Sequence, residues 1–96
     1  MSFALPVRRL RETKNLIAFY HPRPAYPVHI LLVPKKSIAS LERLSAEDSD
    51  FLLELIQCVQ TLVAELHLTD AGYRLVVNGG DYQDFPLLHF HLISEK

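Results

Sequence analysis

Two histidines separated by a single residue, His89 and His91, are the side chains of this sequence best suited to chemistry. A β-strand sends alternate side chains to opposite faces, so a strand through residues 87–93 places both imidazoles side by side. Its intervening residues Leu88, Phe90 and Leu92 then face a core, which aims both histidines at one region. A neutral imidazole can attack phosphorus, move a proton or bind a metal. Spacing alone leaves a metal half-site, buried polar packing and a reaction centre all open.

The elements that must hold this pair can be read from either side of it. The run Leu16-Ile17-Ala18-Phe19-Tyr20 reads as a buried strand, paired in a hairpin with residues 7–10 across the polar turn 11–15. Three prolines, Pro22, Pro24 and Pro27, make the next loop a rigid wall. Residues 28–33 form an apolar strand interrupted by His29 and closed by Pro34, then a short helical turn is expected near 37–41. Ser45-Ala46-Glu47-Asp48 has the form of a capping box. Apolar residues from Phe51 to Leu66 follow at helical spacing, predicting a long helix over 46–68. A strand at 72–78, a turn at 79–83 and the returning strand 87–94 complete an α+β fold, an antiparallel sheet of about five strands with one long and one short helix on it.

Ninety-six residues, 49% hydrophobic, make one domain spanning 1–96, with residues 1–6 as a flexible arm. A net charge of −1 excludes the broad electropositive field of a protein that coats nucleic acid. A single cysteine, Cys58, permits no internal disulfide and reads as a small buried hydrophobe in a reducing, cytoplasmic setting. The sequence has no apolar run of about 20 residues, so no membrane span is expected. His67 suits the carboxyl end of the helix.

Taken in order, Val28-His29-Ile30-Leu31-Leu32-Val33-Pro34-Lys35-Lys36, the long helix, Gly72-Tyr73-Arg74-Leu75-Val76-Val77-Asn78, and the stretch from Gln83 to His91 resemble the histidine triad (HIT) family, its Hint branch above all. The resemblance covers about residues 9–94. It implies a nucleotide-binding protein, a nucleotidyl transferase or hydrolase acting on nucleoside phosphoramidates or related conjugates without metal or other cofactor. The family's middle histidine, His89 here, would be the nucleophile on the α-phosphorus. His91 matches the third histidine and His29 the upstream one. Asn78 and Gln83 match positions lining the phosphate pocket, and a homodimer through the 46–68 helix and 72–78 strand is implied.

Five departures stand out against that pattern. Leu87 takes the place of the first triad histidine, removing a ring from the reactive face. Asp84 falls where the Hint branch has a small hydroxyl residue beside the phosphate, and His21 where the family has an acid holding the ribose. The turn after Gly79 is short, and the sequence ends at Lys96 without the tail that completes the pocket in many Hint relatives. Alternatives are a dimer that binds nucleotide with impaired catalysis, or a metal-binding variant using His29, His89, His91 and Asp84.

Overall fold

A computed structural model describes residues 9–96. The proposed arm at 1–6 and the opening of the first strand lie outside the described residues. Five antiparallel strands form one sheet: β1 (Arg9–Glu12), β2 (Leu16–Tyr20), β3 (Val28–Pro34), β4 (Arg74–Val77) and β5 (Phe90–Ser94), ordered β1-β2-β3-β5-β4. The last strand in sequence is therefore inserted between β3 and β4, flanked on both sides.

The sheet's two faces follow from alternation. Leu16, Ala18, Ile30, Leu32, Phe90 and Leu92 share the face covered by helix α1 (Ser49–Glu65) and make the main core with Phe51, Leu55, Val59 and Leu62. Ile30, Leu32 and Leu92 are fully buried. Ile17, Phe19 and Val33 form a smaller apolar cluster on the other face, with Leu31 against it. His29 and His91 lie on that second face, since Leu31 pairs with His91 across the β3–β5 ladder.

Helix α1 begins as the pattern predicts and ends for an identifiable reason. Ser45 and Asp48 make the reciprocal capping box over a 3-10 turn at Ala46–Asp48, with Asp48 Oδ2 accepting from the Ser45 amide at 3.0 Å. His67 then adopts a left-handed conformation, φ 57°, which breaks the expected 46–68 helix at Glu65. A separate turn, α2 (Leu68–Ala71), closes at Gly72, whose φ of 94° favours glycine. The helical turn expected near 37–41 instead lies at Leu41–Arg43, because the Ile38 carbonyl is engaged by the Leu88 amide at 2.7 Å and is not free for a helical bond.

The first hairpin also differs in register. Arg11 and Glu12, read as turn, belong to β1, and the turn shortens to residues 13–15. Charged residues are tolerated on this edge strand because each is paired: Arg11 with Glu65, and Glu12 with Lys35 at 2.7 Å. Glu54 on α1 fastens the turn by accepting from the Thr13 hydroxyl, the Asn15 amide at 2.9 Å and the Asn15 side chain at 2.7 Å. The hydroxyl bond, with those from Asn15, holds the Glu54 carboxyl below its ordinary range.

Candidate active site

On the face opposite α1 a cleft of about 260 Å³ opens at the entry to β5. His89 precedes β5 by one residue, and Leu88 directly before it is buried in the core, fixing the rotation that turns His89 the other way. His89, His91, His21 and Asp84 all line the cleft. The His89 and His91 rings lie 5.0 Å apart, edge to face. The His89 side chain retains 10% of its accessible surface, enough to meet a ligand.

Hydrogen bonds assign the protons on these rings. The Ala25 amide donates to His29 Nδ1 at 3.0 Å, so the neutral His29 ring carries its proton on Nε2. That nitrogen lies 2.9 Å from His91 Nδ1 and donates to it, leaving the His91 proton on Nε2. This main-chain donor lies in the 21–27 loop, next to Pro24. His89 differs: a carbonyl only accepts, so the 2.8 Å contact between His89 Nδ1 and the Leu87 carbonyl puts its proton on Nδ1. In neutral His89 the Nε2 lone pair is then the one left for a ligand.

His91 Nε2 is the buried side-chain polar atom without a hydrogen-bond partner among the described residues. An unsatisfied buried donor costs about 1–3 kcal/mol, a penalty that a ligand oxygen would remove. Burial, followed by the nearby rings of His89, His29 and His21, pushes the His91 pKa down to about 4. His29 is lowered by burial first and His21 second. Both rings are therefore held in the neutral state that the proton assignment requires.

The remaining sequence candidates divide between cleft and scaffold. His29 is buried behind His91, 6% exposed, and orients it from outside the cleft lining. The His21 ring lies 4.4 Å from that of His29, tilted by 35°, and its Nδ1 accepts from the Arg23 amide. Asp84 Oδ1 lies 3.6 Å from His89 Nε2, too long for a hydrogen bond. Gln83 does not line the cleft; its side-chain nitrogen donates to the Ala39 and Phe85 carbonyls at 2.8 and 2.9 Å and ties the 79–86 loop down. Asn78 follows β4 outside the lining. Among the described residues no group of three His, Cys, Asp or Glu side chains is arranged to hold a metal ion. Cys58 is buried, and desolvation raises its thiol pKa, as fits a core residue.

Sequence reasoning missed the apolar side of the cleft. Phe19, Leu31 and Val33 line it, with Phe85 edge-on to His89 at a ring distance of 6.2 Å. The signal was present in the period of β3, because Leu31 and Val33 stand two and four residues after His29 and share its face.

An antiparallel sheet backed by one helix, with an imidazole pair at the entry to its inserted strand, defines a histidine-based fold of the HIT type. The chain matches the HIT domain over residues 3–96 and belongs to that family. It is 36% identical to a HIT-like protein of Synechococcus elongatus over 94 residues, covering 96% of this chain and 82% of the relative. A HIT family hydrolase from Legionella pneumophila superimposes with a TM-score of 0.88 at 33% identity, covering 96% of this chain and 84% of that one. A histidine triad nucleotide-binding protein from Candida albicans gives 0.80 at 28% identity, over 92% of this chain and 65% of that one. No helix among the described residues is long and apolar enough to cross a membrane.

Proposed function

We propose that this protein binds a nucleotide conjugate in the cleft and transfers its nucleotidyl group to His89. The observation that carries this is a pair of imidazole nitrogens from two residues of one cleft: a lone pair on His89 Nε2 and an unpartnered N–H on His91 Nε2. The His89 lone pair forms a bond to phosphorus as the bond to the leaving group breaks, while the His91 N–H meets the charge developing on a phosphate oxygen or leaving atom. Water then attacks the phosphoramidate, releases the nucleoside monophosphate and returns the lone pair to His89. The apolar wall of Phe19, Leu31 and Val33 suits a planar base. The Legionella and Candida relatives, a hydrolase and a nucleotide-binding protein, support the same class.

Mass spectrometry of protein quenched during reaction with an adenosine phosphoramidate tests this. An adenylyl group on His89, missing from His89→Ala, is the expected result, and absence of both adduct and product would remove the enzyme assignment. Self-association through the 46–68 region and the 72–78 segment belongs to the same proposal. It is supported by β4 standing at the sheet edge and by the exposure of Leu53, Ile56, Tyr73 and Leu75.

A binding protein with impaired turnover is the second reading, favoured by Leu87 lining the cleft where the family places a histidine. Leu87→His should raise single-turnover adenylylation about tenfold if only that ring limits catalysis. An unchanged rate would place the limit at Asp84 or His21.

A further inference from the structure

Sites for multiply charged phosphates surround them with lysine, arginine or converging amides. Among the described residues that line this cleft there is neither lysine nor arginine. Among the same described residues the only acidic group is Asp84, whose carboxylate oxygen stands 3.6 Å from His89 Nε2. Facing it are the rings of His89, His91 and His21, of which His91 contributes a hydrogen-bond donor held neutral by its surroundings.

A phosphorus atom poised for attack sits about 3–3.5 Å from the nucleophile. Its oxygens then come within a few ångströms of the Asp84 carboxylate. A singly charged phosphorus group meets one like charge and gains the His91 donor. A doubly charged group meets twice the repulsion, with no lysine or arginine among the described lining residues to offset it.

We infer that Asp84 is a charge-selecting residue, by which the cleft accepts phosphorus groups bearing one negative charge, such as a diester or an N-substituted amidate, and disfavours the doubly charged monoester. This rests on the proposed nucleotide chemistry and extends it to product release. Cleavage of the phosphorus–nitrogen bond and addition of water yield a monoester, whose second ionisation, near pH 6, leaves it a dianion at neutral pH. The carboxylate beside the nucleophile then repels the product more strongly than the substrate.

The experiment is calorimetry at about pH 8 with three ligands: adenosine, adenosine monophosphate and its methyl ester, which carry charges of zero, two and one. Both the native protein and Asp84→Asn are measured. The Asp84 side chain is 83% exposed, so the substitution does not disturb packing. In the native protein the methyl ester should bind about tenfold more tightly than the monophosphate. Asp84→Asn should tighten the monophosphate about tenfold, the ester by less than about threefold and adenosine not at all. If adenosine binds but the substitution changes both esters equally or neither, charge selection by Asp84 is overturned while the nucleotide assignment stands. If none of the three binds either protein, the nucleotide assignment fails and the charge rule with it.

Discussion

His89→Ala is expected to slow release of nucleoside monophosphate by at least about a thousandfold while changing adenosine affinity by less than about threefold. The asymmetry follows from where the ring stands. In the proposed reaction His89 supplies the bond-forming lone pair, whereas the base would lie against Phe19, Leu31 and Val33 on the neighbouring strands. Single-turnover kinetics with an adenosine phosphoramidate, paired with equilibrium binding of adenosine, separates the two quantities. A parallel fall in both would mean that His89 shapes the cleft and does not react.

The second large effect is a loss of stability in mild acid. His91 titrates at about 4 in the folded chain against an ordinary value of 6.5, with burial as the leading cause. The folded state therefore holds fewer protons on this ring than the unfolded chain throughout that interval. The stabilisation is complete above about pH 6.5, declines as the pH falls, and is exhausted below about pH 4. Protonation would also place hydrogen on His91 Nδ1 and turn the bond from His29 into a clash of two donors. Urea unfolding between about pH 7 and about pH 5 should show a loss of up to about 2 kcal/mol, reduced by whatever water reaches the ring. His29, lowered for the same reason, adds in the same direction. Asp48 and Glu54, whose carboxyls are held below their ordinary range, lose their contribution only at lower pH. His91→Asn keeps an acceptor, its Oδ1, at the position where His29 donates and should flatten the slope. Equal slopes in both proteins would show that His91 is not the group responsible.

The parts of this molecule written in short-range pattern were legible from the residues alone. The capping box at Ser45, the apolar period of α1 and the alternation through Leu88, Phe90 and Leu92 each depend on neighbours a few positions away. Those three features gave the layer order and the common direction of His89 and His91. What escaped depends on distant contacts. Whether Arg11 and Glu12 are turn or strand is decided by Glu65, Lys35 and the Glu54 clasp, all far along the chain. The left-handed break at His67 has no glycine to announce it. Gln83, matched by resemblance to a phosphate contact, spends its amide on two carbonyls, one of them 44 residues earlier. The period of β3 puts Leu31 and Val33 on the His29 face, but an apolar side chain does not itself say whether that face meets a core or a cleft.

The donor that sets the order of protons from His29 to His91 is a main-chain N–H at residue 25, whose own side chain is exposed. The instruction is thus independent of what amino acid occupies that position, with one exception. Proline, alone among the twenty, lacks the hydrogen, so a loop already dense in imino acids has a single place where one more would unfasten the reactive ring's partner.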